Sequence, residues 1–204
     1  MRPSLPRLHA ITDERIARRP DLDLIAAALA QGGGSELAFH ARGRELSGLE
    51  HYDLAFRLSV LPSQLFINDR LDVALAVPTA GVQLGHGSLP VSAARALNPV
   101  WWIGRSVHDL AEAEAARTEG ADYLVVGPVF ATASHPERPP LGLERLQAIA
   151  SAVDGLPVMA IGGITADRVR EVKKSGAYGV AAIRALWDDV EPAEAARRMR
   201  EWMS

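Results

Sequence analysis

The sequence predicts an α/β protein of the (β/α)₈ TIM-barrel class, one compact domain over residues 1–204. Three observations carry that expectation. Short apolar runs alternate with helical segments eight times. The runs are apolar at consecutive positions rather than at every second one, as strands of a parallel sheet covered on both faces must be. No Gly-x-Gly-x-x-Gly follows the first run, which weighs against the rival open doubly wound sheet. Barrels of this kind commonly reach about 250 residues, so this one is expected to be compact.

The elements are read in order. Leu8 to Thr12 is the first strand, and Leu22 to Gln31 the first helix, ended by Gly32, Gly33 and Gly34 because glycine accepts the left-handed conformation of a C-cap. A weak strand at Glu36 to His40 leads to a helix at His51 to Val60, which Pro62 closes. Strands three and four are Leu65 to Asn68 and Gly81 to Leu84, each followed by a short helix, Leu71 to Val77 and Val91 to Leu97. Val100 to Gly104 precedes an Ala/Glu helix from Asp109 to Glu119. Tyr123 to Gly127 runs into a Pro-rich loop reaching Pro140, and a helix follows from Leu143 to Val153. Pro157 to Ile161 is strand seven, with Thr165 as N-cap of a helix from Ala166 to Ser175. Gly179 to Ile183 is strand eight, and Pro192 to Met203 the closing helix.

Composition narrows the function classes. The net charge is only −3, which gives no reason to expect nucleic acid or an anionic membrane as partner. There is no cysteine, which excludes disulfides and thiol catalysis and suits a cytoplasmic location. Met1 to Pro6 carries charge but no apolar run, so a secretory leader is not expected.

In barrels, ligands sit at the C-terminal ends of the strands, and phosphate commonly on the loops after strands seven and eight. Here strand seven runs into Gly162-Gly163, which lets backbone N–H groups approach an anion, and Arg184 follows strand eight. Four of six histidines fall just after predicted strands: His40, His86, His108 and His135. They are the candidate acid–base residues, because imidazole titrates near neutrality. Asn68-Asp69 ends strand three as a turn pair or a polar clamp, and Ser106 stands at the end of strand five. The clamp would take a substrate or Mg²⁺; a single carboxylate is a poor metal site, so spacing by itself gives no expectation of a protein-held metal.

Several motifs then recur in one order. They are Ile67-Asn68-Asp69-Arg70, Gly81-Val82-Gln83-Leu84-Gly85 and Gly104-Arg105-Ser106-Val107-His108. Gly127-Pro128-Val129-Phe130-Ala131-Thr132 and Ala160-Ile161-Gly162-Gly163-Ile164-Thr165 complete the series. The chain resembles the thiamine phosphate synthase and thiazole tautomerase superfamily over nearly its whole length. The resemblance implies thiamine biosynthesis, a barrel, a phosphorylated thiazole-type ligand and a homodimer.

Departures from the synthase pattern direct the expectation between branches. The synthase joins a pyrimidine diphosphate to a thiazole phosphate with Mg²⁺ and releases pyrophosphate. Its Gln-x-Arg-Glu-Lys stretch here reads Ala38-Phe39-His40-Ala41-Arg42. A Mg²⁺-holding Asp is replaced by Ser88, a Lys by His135 and a Ser by Arg184. The tautomerase branch shifts a proton on a carboxylated thiazole phosphate so that the ring becomes aromatic and requires no cofactor, and Ser106-Val107-His108 looks like that branch. Its catalytic histidine, however, falls at Pro128. The expectation is therefore a tautomerase-like isomerase with the proton moved by one of the four histidines. The alternatives are the Mg²⁺-dependent synthase and a non-catalytic homologue that binds thiazole phosphate.

Overall fold

A computed structural model describes residues 2–132 and 139–203. Strand β1 (Leu8–Ile11) is followed by α1 (Glu14–Ala17) and α2 (Leu22–Gly33). Next come β2 (Leu37–Ala41), α3 (Gly48–Ser59), β3 (Gln64–Asn68), α4 (Leu71–Ala76), β4 (Gly81–Leu84) and α5 (Val91–Leu97). The second half continues with β5 (Trp102–Val107), α6 (Leu110–Thr118), β6 (Tyr123–Val126) and α7 (Gly142–Ala152). It ends with β7 (Val158–Ile161), α8 (Val169–Lys174), β8 (Gly179–Ala182), α9 (Arg184–Trp187) and α10 (Pro192–Met203). The strands close in chain order into an all-parallel barrel, with β1 paired to β2 through Leu8–Leu37 and to β8 through Leu8–Val180.

Alternation along the strands makes two cores. One face of each strand meets the helices: Leu8, Leu37, Phe39, Ile67, Val82, Leu124 and Val180 belong to a layer that includes Trp187 from α9. The other face fills the barrel with Leu5, Ala38, Phe66, Tyr123, Val125 and Met159. Burying each large apolar side chain contributes about 1.5–3 kcal/mol, so both faces resist polar substitution. At the N-terminal rim, Asp122 accepts from Arg2, Arg95 and the N–H of Ile103. Burial pushes its pKa up, but those three donors win and leave it below the usual carboxylate value. The opposite rim stays open.

Several ends differ from the expected ones for local reasons. Of the three glycines after the first long helix, only Gly34 makes the left-handed turn, at φ +58°. Gly32 and Gly33 stay helical, and Gly32 lets α10 approach: a Cβ there would lie 1.9 Å from the carbonyl oxygen of Ala193. Helix α3 begins three residues before the expected His51 because Ser47 and Glu50 form a capping box. Thr165 flanks a 3₁₀ turn at Ala166–Arg168 and makes no side-chain capping bond. The short helices α1 and α9 were not expected, being too short to show a period. Among the described residues no helix is long and apolar enough to cross a membrane.

Candidate active site

The open rim holds a cavity of about 390 Å³, lined from every side of the barrel. Its walls include Asn68, Asp69, His86, Ser106, His108, Gly162, Gly163 and Arg184, so eight of the ten residues singled out in the sequence meet there. His40 does not line it, and His135 lies outside the described residues.

The β7–β8 side is built from backbone. Gly162 and Gly163 have φ of +98° and +63°, and each is tight against the chain after β6. A Cβ at Gly162 would lie 2.6 Å from Cα of Pro128, and one at Gly163 2.6 Å from the carbonyl oxygen of Ala131. Val129 N–H donates to Ile161 O at 2.8 Å and Phe130 N–H to Gly162 O at 3.0 Å. The carbonyls of the turn are thus used up against this loop. Among the described residues, the N–H groups of Gly163 and Ile164, like those of Ile183 and Arg184 opening α9, have no backbone acceptor. All four residues line the cavity. Converging amides beside an arginine suit a phosphoryl group.

The β2–β4 side is built from side chains. Arg42 and Arg44, which the sequence reading did not single out as site residues, both line the cavity. Burial disfavours the charge on Arg42 most, and the Arg44 guanidinium adds to this, outweighing Glu14, Asp69 and Asp13. A positive charge held at such cost beside a second one favours an arriving anion. The signal for Arg42 was present in the sequence: it stands where the synthase stretch ends in Lys.

Asp69 occupies the left-handed region at φ +63°, a conformation that Asp tolerates better than most residues. Its Oδ1 accepts from the Gly85 N–H at 2.8 Å and from the Ser88 hydroxyl. Strand β4 supplies Gln83, whose Nε2 donates to Ser106 Oγ at 2.9 Å and whose Oε1 is buried without a partner. Gln83 was quoted in a motif but not recognised as part of the cavity wall.

The histidines separate sharply. His86 is exposed at the mouth. His108 is half-buried, with Nδ1 2.6 Å from the carbonyl oxygen of Gly127. His40 lies beneath the floor and is fully buried, with both ring nitrogens engaged: Nε2 is 2.8 Å from His9 Nδ1, and Nδ1 is 3.0 Å from the Asn68 amide. Burial lowers its pKa to about 4. His40 therefore stands away from the place expected for a mouth acid–base residue. His51, on α3, is structural: its Nε2 is 2.9 Å from Ala41 O.

Mg²⁺ is held by one or two carboxylates together with substrate phosphates, not by an all-protein cage. Among the described residues no group of three His, Cys, Asp or Glu could hold a metal. Asp69, with Oδ2 outside the bonds to Gly85 and Ser88, and the Ser88 hydroxyl beside it make a minimal donor set. It fits a Mg²⁺ that arrives on a diphosphate.

Comparison with known proteins adds an independent line. Residues 8–186 match the family model described as thiamine monophosphate synthase. A thiamine-phosphate synthase of Salinispora arenicola is 43% identical over 199 residues, covering 94% of each chain. A putative thiamine-phosphate synthase 2 of Aquifex aeolicus is 39% identical over 183 residues, 88% of this chain and 96% of that one. The solved thiamine phosphate pyrophosphorylase of Pyrococcus furiosus superposes with a TM-score of 0.83 at 34% identity, over 97% of this chain and 95% of that one. The two sequence relatives carry the synthase name. The expected leaning toward the tautomerase branch, drawn from Ser106-Val107-His108, is corrected accordingly.

Proposed function

This chain belongs to the thiamine monophosphate synthase family, and on that premise we propose that it joins a pyrimidine diphosphate to a thiazole phosphate and releases pyrophosphate. The observation that carries the proposal is the presence of two separate anion-attracting regions on one cavity. Arg42 and Arg44 lie on one side, and the amides of Gly163 and Ile164 with Arg184 on the other. A proton shift on a carboxylated thiazole phosphate releases no pyrophosphate, so it has no leaving group for the paired guanidinium groups of Arg42 and Arg44 to screen.

In this reading the β7–β8 turn holds the thiazole phosphate and aims its ring across the cavity. Arg42 and Arg44 receive the diphosphate, and Asp69 with Ser88 would hold Mg²⁺, which screens charge on the leaving group. The carbon–oxygen bond to the diphosphate breaks with its electron pair going to pyrophosphate, and the ring of the thiazole supplies the new bond. Positioning and charge compensation do the work, so no histidine has to transfer a proton. Arg42 keeps the cation that ends the synthase stretch as Lys, while the guanidinium of that stretch is lost at His40.

The test is turnover of the two precursors with Mg²⁺, following pyrophosphate and thiamine phosphate. Equimolar, Mg²⁺-dependent formation of both is expected. No release at high protein concentration overturns the proposal. Aromatisation of the exocyclic thiazole tautomer without Mg²⁺ would then point to the isomerase, and a raised melting temperature with thiazole phosphate but no turnover to the binding homologue.

A further inference from the structure

Four polar groups form an unbroken line from the barrel interior to the cavity. Pro6 O lies 3.0 Å from His9 Nε2. His9 Nδ1 lies 2.8 Å from His40 Nε2, and His40 Nδ1 lies 3.0 Å from the side-chain amide of Asn68, at its Oδ1 position. Asn68 lines the cavity, so the two rings connect the fixed backbone below to a group that touches ligand.

Each of the three contacts needs one proton between its atoms. Pro6 O can only accept. If Asn68 also offers its carbonyl oxygen, both ends are acceptors, and the two rings must carry three protons, one of them as an imidazolium. The surroundings oppose such a charge. Phe66 stacks on His40 at 5.1 Å, and Tyr123 meets His9 edge-on at 5.9 Å. The charged group that acts on His40 is Arg42, also a cation, and the two histidines oppose each other's charge. Burial lowers the pKa of both rings, that of His40 to about 4. No carboxylate contributes to either ring. Two neutral rings supply two protons, and the third must come from the far end of the line.

We propose that His9 and His40 are positioning residues that turn the Asn68 amide so that its Nδ2 donates inward to His40 and its Oδ1 faces the cavity. Pro6 O receives the Nε2 proton of His9, His9 Nδ1 receives the Nε2 proton of His40, and His40 Nδ1 receives an amide proton of Asn68. The opposite polarity would set a His9 lone pair against the Pro6 carbonyl at 3.0 Å in a buried place, where an unmade hydrogen bond is most costly. Asn68 and Asp69 then present acceptors side by side at the end of β3. That part of the mouth selects a hydrogen-bond donor on the ligand, an amino or hydroxyl group, while the two cationic regions take its phosphates. The amide polarity stands whatever the reaction is; the consequence for substrate rests on the synthase reading.

The polarity is measured directly by two-bond ¹H–¹⁵N correlation on the full chain with ¹⁵N-labelled histidine, without ligand, near pH 7.5. Both rings are expected to be neutral with Nε2 protonated and Nδ1 bare. A protonated Nδ1 on His40, or an imidazolium in either ring, overturns the proposal. In Asn68→Asp the inward donor is gone and both ends of the line accept, so His40 is expected to become an imidazolium protonated at Nδ1 and Nε2 beside the new carboxylate; a bare Nδ1 in that variant also overturns it. Kinetics supply a second readout. His40→Leu is expected to raise KM for the diphosphate substrate about tenfold with kcat within about threefold, while His40→Gln, which can still accept from Asn68, keeps KM within about threefold. Equal effects of the two variants on KM would assign His40 a packing role only. An inactive protein with the expected ring signals removes the synthase reading and leaves this inference standing.

Discussion

The two sides of the cavity mouth are made of different material. On the β7–β8 side the ligand-facing groups are peptide N–H donors, fixed by Gly162 and Gly163 folding against Pro128 and Ala131. On the β2–β4 side they are the side chains of Arg42, Arg44, Asn68 and Asp69, with Asp69 held by the Gly85 N–H and the Ser88 hydroxyl and Asn68 by His40. A backbone site keeps its chemistry as long as the turn survives, whichever residues surround it. A side-chain site changes with each substitution; of the departures from the synthase pattern, Ala38, His40 and Ser88 fall on this side and Arg184 on the other. The contrast explains how the glycine turn stays legible while the side-chain wall differs from the synthase pattern.

The largest expected effect breaks the backbone side. Gly162→Val combines a φ of +98° with a Cβ 2.6 Å from Pro128. It should cost about 3 kcal/mol or more locally, weakening thiazole phosphate binding over about a hundredfold in calorimetry. Unchanged affinity would show that the phosphate is held elsewhere.

The next effect lies under the side-chain side. The folded pKa values of His9 and His40 are depressed, so their neutral burial stabilises the fold fully above the unfolded value of about 6.5 and less as pH falls toward 4. Denaturant unfolding at pH 7.5 and pH 5 should show the wild type losing stability, and His40→Leu losing measurably less. A flat profile would mean that the rings are charged in the fold.

The smallest effect separates the two sides functionally. Arg42→Ala should raise KM for the pyrimidine diphosphate about thirtyfold, equivalent to roughly 2 kcal/mol for a hydrogen bond to a charged group, and leave KM for thiazole phosphate within about threefold. Parallel losses for both substrates would dissolve the distinction between the sides.

Legibility in the sequence follows the same division. The Gly162-Gly163 turn and Arg184 were readable because a backbone site needs a local glycine pattern at a known place in the barrel. Asn68, Asp69, Ser106 and His108 were readable because they end strands, and strand ends meet at one rim. Arg44 was not readable: it lies beyond β2 in an exposed loop, and only the path of that loop brings it over the cavity. His40 was placed at the mouth and its depth was not readable, because which face of a strand looks inward, and how deep, depends on barrel register, and register is set by all eight strands together.

By itself the sequence determined the barrel, the rim that carries the cavity and the glycine turn after β7, because apolar runs, breakers and glycines act over a few neighbouring residues. The tertiary structure decided that His40 sits below the floor rather than at the mouth, that Asp69 is bonded to Ser88 and Gly85, and that Arg42 faces the cavity. Those outcomes depend on contacts between residues far apart in the chain. A side chain's charge, hydrogen-bond polarity and reach acquire a chemical meaning only when the distant neighbours that desolvate and orient it are in place.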